Sequence, residues 1–166
     1  MGAINNAFNQ AIGTAAGAAL AVKHAQESDF SKMNAAEHSA LIARNQASAA
    51  ETEYEKTKAE NEFITDEKGK THSVYASSFM ADRKVDEAKA ALDKAQKRKN
   101  ASSKTIKKKL NDVLAAQSAA EELNAKIEAI NNMRSRAIEQ RDYADKATKL
   151  AEEAQKKYQS KWGGMR

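Results

Sequence analysis

The sequence contains neither cysteine nor proline. Without cysteine, the chain has no disulfide bonds and no thiolate ligands for a metal, so helix packing must hold the fold together. Proline lacks the backbone donor and clashes with the preceding helical turn, so its absence means that no residue forces a helix to stop. Both absences favour long helices in a chain that tolerates a reducing compartment.

Large apolar side chains are scarce as well. Only 41% of the residues are hydrophobic and 5% are aromatic, and the mean hydropathy is −0.78. Alanine is abundant, and Lys, Glu, Gln and Asn fill most of the remaining positions, as they do in long helices and coiled coils. The composition therefore predicts narrow helix-to-helix interfaces, helped by neighbouring subunits, rather than a thick core.

The N-terminal part of the chain has no charged residues, and positive charge is concentrated in a later segment. The first 22 residues contain no Asp, Glu, Lys or Arg, and the net charge of the whole chain is +5. Residues 94–109 hold eight basic residues and no acidic residue. We call these eight the basic cluster: Lys94, Lys97, Arg98, Lys99, Lys104, Lys107, Lys108 and Lys109. Because the remaining surface is nearly neutral, general binding of nucleic acid is not indicated.

The predicted fold class is all-α: extended, long alanine-rich helices that form coiled-coil-like helix hairpins, with no β-sheet. The first helix is expected to end near Ser28 and Asp29, and the second to begin with Ser31 as its N-cap. Residues 66–69 are expected to form a turn. The predicted division is an N-terminal helix at 1–27, a helical hairpin at 28–99, a hinge at 100–104, and a long C-terminal helix with a short flexible tail at 105–166.

The second helix shows the heptad spacing of a coiled coil. Steps of alternately three and four residues pass mostly through alanines, a pattern that places one face of the helix against a partner. Small residues let two helices approach closely, but they bury little surface per turn, so such a pair needs length. We call these residues the seam: Met33, Ala36, Ala40, Ala43, Ala47, Ala50 and Tyr54.

The segment Asn100–Ser103 is the best candidate for a break between the later helices. Asparagine tolerates the left-handed conformation that often follows a helix, and either serine can cap the next one. These residue types are the reason for predicting a hinge at 100–104.

No motif for catalysis, cofactor binding or metal binding emerges. Gly69, Lys70 and Thr71 resemble the end of a phosphate-binding loop, but Ile64 stands where that motif needs glycine. The three histidines lack the spacing of metal ligands, and no serine lies in the frame of a hydrolase nucleophile. We therefore expect a protein that is not an enzyme and has no cofactor.

The uncharged N-terminal segment allows three interpretations. Gly13, Gly17 and Ala21 repeat every four residues, a spacing that lets two helix backbones touch. We call these three residues the glycine face, and we favour a tight helix contact within a protein assembly. Contact with a membrane and a frayed tail are the alternatives. The continuously apolar part, 11–22, is shorter than the about 20 residues that span a bilayer, and no basic residues precede it as in a signal peptide.

The basic cluster is also open to three interpretations. It is a solvated helix end, a docking site for an acidic protein surface, or a site of phosphate contact. No aromatic residue lies within 94–109 to stack on bases. Near the C-terminus, Trp162 precedes two glycines and is either an anchor on a flexible tail or the residue that closes the last helix.

In its overall character, the chain resembles the small helical virion proteins of short-tailed bacteriophages, including those of the crAss-like group. The resemblance rests on the Met-Gly start, the uncharged helix around Gly13 and Gly17, and the Gln-, Lys- and Glu-rich helices that follow. It implies a multi-copy virion component, bound at the portal and tail or packaged for ejection with the genome, and present in the host cytoplasm during assembly. It carries no functional residue over to this chain.

Sequence and resemblance together predict a structural protein that packs its helices against other virion or assembly proteins. A membrane-active ejection protein that uses its N-terminal helix is the first alternative. A basic accessory protein that contacts nucleic acid is the second.

Overall fold

A computed structural model describes the backbone of residues 2–164 and the side chains of residues 10–164. Its elements are three helices and two short strands: α1 Gly2–Asn61, β1 Phe63–Thr65, β2 Thr71–Ser73, α2 Val74–Gln96 and α3 Ser103–Trp162. The first residue of the predicted N-terminal helix and the last two residues of the predicted tail lie outside the described residues. The described chain is thus predominantly helical.

The chain divides into two compact units that each combine distant parts of the sequence. The first unit joins the residues up to Ser48 with those from Gln140 onward, and the second unit is Ala49–Glu139. Each unit therefore takes one part of α1 and one part of α3, because an antiparallel helix pair brings together segments that are far apart in the chain.

The predicted end of the first helix near Ser28 and Asp29 is wrong, and Ser31 is not an N-cap. Helix α1 runs without interruption from Gly2 to Asn61. The Asp29 carboxylate accepts hydrogen bonds from Lys161 and Trp162. It therefore does not compete for its own backbone, which is how aspartate usually ends a helix.

The prediction of no β-sheet is also wrong. Strands β1 and β2 form an antiparallel pair in which Ile64 lies opposite His72. The turn between them is built by Asp66, whose Oδ1 accepts hydrogen bonds from the backbone N–H groups of Lys68 and Lys70, both at 2.9 Å. Gly69 adopts a φ of 76°, a conformation that favours glycine. The aspartate turn and the β-branched residues beside it thus favour a hairpin over a helical turn.

A break separates α2 from α3. Helix α2 ends earlier than expected, with Lys97 as its C-cap. Asn100 does not adopt the left-handed conformation that asparagine tolerates, because no residue other than glycine has a positive φ in the described part of the chain. Ser102 does cap α3, since its Oγ accepts a hydrogen bond from the Thr105 backbone N–H at 3.2 Å.

The core of the second unit is small. Ala81 and Val85 of α2 pack with Ala120 of α3, and partly buried residues of α3 surround them. The buried Ser78 hydroxyl donates a hydrogen bond of 2.7 Å to the Asn124 side-chain oxygen, so this hydroxyl is satisfied. Alanine and valine fill this interface, as expected from the scarcity of larger side chains.

In the first unit, buried alanines lie on both helices. Ala40 and Ala43 are buried on α1, and Ala144 and Ala151 are buried on α3. Ala40 and Ala151 line the same shallow groove, whereas Asp29 lies beside the very end of α3. The two helices therefore run antiparallel in this unit.

Candidate protein-interaction surface

A cluster of polar and aromatic contacts marks the point where α3 ends against α1. The Asp29 carboxylate accepts a 2.7 Å hydrogen bond from Lys161 Nζ and a 3.1 Å bond from Trp162 Nε1. The Lys161 ammonium also lies 4.8 Å from the centre of the Trp162 ring, and the rings of Phe30 and Tyr158 are 5.6 Å apart. We call this group the terminal clamp.

The terminal clamp settles the position of Trp162 and affects the charge of Asp29. Trp162 is only 7% exposed, so within the chain it closes the last helix and is not a free anchor. The hydrogen bond from Lys161, and next the one from Trp162, lower the pKa of Asp29 below its ordinary value. Both donors favour the charged carboxylate, so the clamp is formed by an ionised aspartate.

Beyond the terminal clamp, no other described part of the chain covers α1. Every residue from 10 to 24 is exposed, and we call this segment the N-terminal extension. It includes Ile12 at 53% exposure, Leu20 at 56% and Val22 at 43%. Exposed apolar residues that lie together in a segment with no charged residue before Lys23 are typical of a surface that another molecule covers.

The glycine face lies on the N-terminal extension. A Cβ atom built at Gly13 or Gly17 would meet no atom within 4 Å, and Ala21 is exposed. The chain itself therefore makes no close contact with this face. A tight contact there requires another molecule and stays a prediction.

The seam lies in the interior of the chain's own units. Ala40, Ala43 and Ala50 are buried, and Met33, Ala36, Ala47 and Tyr54 are half-buried. In the first unit, Met33 lines a groove together with Leu150 and Tyr158 of α3. The part of the seam in this unit therefore faces a helix of the same chain and is not free for a partner.

The basic cluster occupies the end of α2, the turn and the start of α3. Seven of its residues are exposed and Lys109 is half-buried. Lys97 forms an ion pair of 2.7 Å with Asp93, and Lys109 forms one of 3.9 Å with Asp112. The structure brings these residues together around one turn, which gives a local positive surface.

Sequence reasoning did not identify a group of exposed apolar residues near the start of α2. Tyr75, Phe79 and Met80 are exposed there, Phe79 at 66%, and Phe63 of β1 is exposed as well. The spacing of Tyr75 and Phe79 puts both on one side of α2, away from Ala81 and Val85, which pack against α3. Two aromatic residues one turn apart were the available signal.

The hairpin contains a histidine that lies close to a carboxylate. His72 Nε2 lies 2.9 Å from Asp66 Oδ2, and both residues are partly exposed. The hydrogen bond from His72 is the main cause of a lowered pKa at Asp66, followed by the backbone N–H of Lys70. These contacts stabilise the turn.

Two kinds of site are not found in the described residues. No group of three or more His, Cys, Asp or Glu residues is placed to hold a metal ion. No helix of this part of the chain has an apolar stretch sufficient for crossing a membrane. Comparisons with protein families, with curated proteins and with solved structures gave no match to the chain.

Proposed function

We propose that the chain is a structural protein that assembles by packing its helices against other protein subunits. The observation that carries the proposal is the N-terminal extension, where α1 continues past the terminal clamp with Ile12, Leu20 and Val22 exposed. Residues 10–22 of this helix carry no charge and therefore form no ion pairs that would stabilise the segment in water, so we expect a partner to bury it.

The helix pairs within the chain are, in this proposal, coiled-coil-like hairpins. The support is the burial of small residues at heptad spacing on α1, as at Ala36, Ala40 and Ala43. Pairs of this kind bury little area per turn, so the chain gains stability when further helices pack on it. The protein would then act as one helical component of a larger assembly.

The more specific part of the proposal is a multi-copy phage virion component at the portal or tail. Its support is the resemblance in composition to small helical virion proteins, together with the free N-terminal extension that such an assembly would cover. The place of action would be the virion, after assembly in the host cytoplasm.

The test replaces both glycines of the glycine face by leucine. Gly13→Leu with Gly17→Leu should exclude the chain from its native assembly, because the added side chains prevent close approach of the backbones. The helicity of the free chain should rise, since glycine costs about 1 kcal/mol relative to a good helix former. Sedimentation of the native particles through a density gradient, with detection of the chain in each fraction, measures incorporation.

The matched control is Asn34→Leu with His38→Leu. These two exposed residues occupy the same heptad positions on α1 as Gly13 and Gly17, three heptads further along. The control should sediment with the particles. Equal incorporation of both leucine variants would contradict a contact at the glycine face, and absence of the wild-type chain from every large particle would contradict the proposed function.

A membrane-active ejection protein is the second candidate, favoured by the exposed Ile12 and Val22 on an uncharged helix. Such a helix can lie in a bilayer surface without spanning it. Flotation of the full chain and of a chain lacking residues 1–22 with phospholipid vesicles separates the two candidates. Flotation that depends on residues 1–22 would support membrane contact.

Contact with nucleic acid is the third candidate, favoured by the exposed basic cluster. Phosphate contacts release counterions, so the affinity should fall steeply with salt. Retention on DNA at increasing salt, compared between the wild-type chain and one with the lysines of 94–109 replaced by glutamine, tests it. An unchanged salt dependence in the variant would exclude the cluster from DNA binding.

A further inference from the structure

The N-terminal extension carries the same heptad register as the seam. Counting back from Met33 in steps of four and three residues reaches the half-buried Asp29 and Gln26, and then four exposed apolar residues. Because α1 is one unbroken helix, these positions share one face with the seam. We call the four exposed residues the free seam: Ile12, Ala15, Ala19 and Val22.

The seam and the free seam differ in whether another helix of the chain packs against them. Helix α3 lies against α1 as far as the terminal clamp and ends at Trp162. The side of α1 against which α3 packs is therefore uncovered along the free seam, whose residues are all exposed. The glycine face lies on the opposite side of the same helix, since successive residues turn by about 100°. It is a separate surface.

We propose that the free seam pairs with the free seam of a second copy of this chain, with the two extensions antiparallel. This inference rests on the proposed function, which it deepens by naming one partner. The second extension would pack on the same side of α1 as α3, beyond the end of α3, and it would run in the same direction as α3. In the register in which residues 2–25 of the two copies overlap fully, Ile12 packs against Ala15 of the second copy.

Four features favour a second copy over another partner. The pairing continues the antiparallel contact that α1 already makes with α3. It places the large Ile12 against the small Ala15, which lets two helices interlock closely. The first 22 residues contain no charge, so two copies side by side meet no repulsion. An antiparallel pair also has two-fold symmetry and leaves no further free seam exposed.

Single cysteines test both the contact and its direction, because the chain contains no cysteine of its own. Ile12→Cys and Ala15→Cys chains, one of them carrying a mass tag, are mixed and oxidised mildly. The antiparallel pair brings Cys groups of different variants within disulfide reach, so mixed disulfides should exceed like-with-like disulfides several-fold. A parallel pair would give the reverse, and that result would overturn the proposal.

A charge placed on either side of the extension provides the second measurement. Ala15→Asp buries a carboxylate in the proposed contact and should raise the dimer Kd at least ten-fold in analytical ultracentrifugation. Thr14→Asp puts the same charge on an exposed side of the helix outside the free seam and the glycine face and should leave the Kd within about two-fold of wild type. Circular dichroism confirms that both variants remain helical.

Two further results would overturn the inference. One is a wild-type chain that stays monomeric at millimolar concentration, together with Ile12→Cys and Ala15→Cys chains that give no disulfides above those of a control pair, Asn34→Cys with His38→Cys. The other is self-association that Ala15→Asp does not weaken. These measurements use the purified chain alone, whereas the proposed function is tested in native particles. Failure of one is thus distinguishable from failure of the other.

Discussion

The N-terminal extension and the adjoining part of α1 have the same pattern but different surroundings. Ala15 and Ala43 occupy the same heptad position, four heptads apart, yet Ala43 is fully buried and Ala15 is exposed. The difference arises from α3, which ends at the terminal clamp. A heptad pattern of small residues therefore identifies a face that a helix covers, but it does not say whether that helix belongs to the same chain.

Loss of the terminal clamp should have the largest effect on the difference between the N-terminal extension and the adjoining part of α1. Trp162→Ala removes a nearly buried ring and one hydrogen bond to Asp29. We expect the first unit to lose about 3 kcal/mol of unfolding free energy, near the lower end for buried aromatic residues. Hydrogen exchange measured by mass spectrometry should show faster exchange at residues 25–36, which would then resemble the extension.

The control for this prediction is Tyr143→Ala, since Tyr143 is an exposed aromatic residue of α3. It should change the exchange of residues 25–36 very little. If both variants accelerate exchange equally, the clamp does not set the boundary between the covered and uncovered parts of α1.

The same substitution at Ala15 and at Ala43 should change the free energy of unfolding by different amounts. Ala43→Leu places a larger side chain where no space is available, which should cost about 2 kcal/mol. Ala15→Leu should change the free energy of unfolding by no more than about 0.5 kcal/mol in the monomer, as is usual at the surface. Urea unfolding at low micromolar concentration measures both. Equal losses would show that Ala15 is also packed in the monomer.

Acid should loosen the terminal clamp. The pKa of Asp29 is lowered in the folded chain, first by the hydrogen bond from Lys161. A lowered folded pKa means that the aspartate stabilises the fold above its unfolded pKa of about 4, and that this contribution is lost as the pH falls further. The fluorescence of Trp162, the single tryptophan, should therefore change between about pH 4 and pH 2.

Asp29→Asn provides the comparison for this acid transition, because asparagine does not titrate. The variant should show no fluorescence change from this site in the same range. Asp66 also has a lowered pKa, but it belongs to the second unit and its contacts are unchanged by the Asp29 substitution. A variant that retains the full transition would show that another group causes it.

The helical character of the fold was predictable from the sequence, because alanine and the long polar residues favour helices and no proline stops them. The break between α2 and α3 also lay close to its predicted place. Ser102 does cap α3 through its hydroxyl, as its residue type indicated. At these places the conformational preferences of neighbouring residues determine the structure, so the sequence of the segment was sufficient to predict it.

The errors occurred where a distant residue or a specific turn decided the outcome. Asp29 looked like a helix end, but its carboxylate binds Lys161, 132 residues away in sequence. The hairpin at Asp66 depends on two backbone N–H groups converging on one carboxylate oxygen. A survey of helical periodicity does not detect such a turn.

The candidate site was predictable only in part. The glycine face was identifiable from spacing, but the free seam was not, since the expected break near Ser28 would have interrupted the register. Only the unbroken helix of Gly2–Asn61 connects Val22 to Met33 in one heptad series. The end of α3 beside Asp29 then shows which part of that series the chain leaves uncovered.

The lysines at the start of α3 oppose the electric dipole of that helix. A helix N-terminus carries partial positive charge, yet α3 has no acidic residue in its first turn, and Lys104, Lys107 and Lys108 follow its cap. Dissolved salt screens this repulsion. The first turns of α3 should therefore fray more at low ionic strength than at high ionic strength, whereas the ion pair of Lys97 with Asp93 should weaken as salt is added.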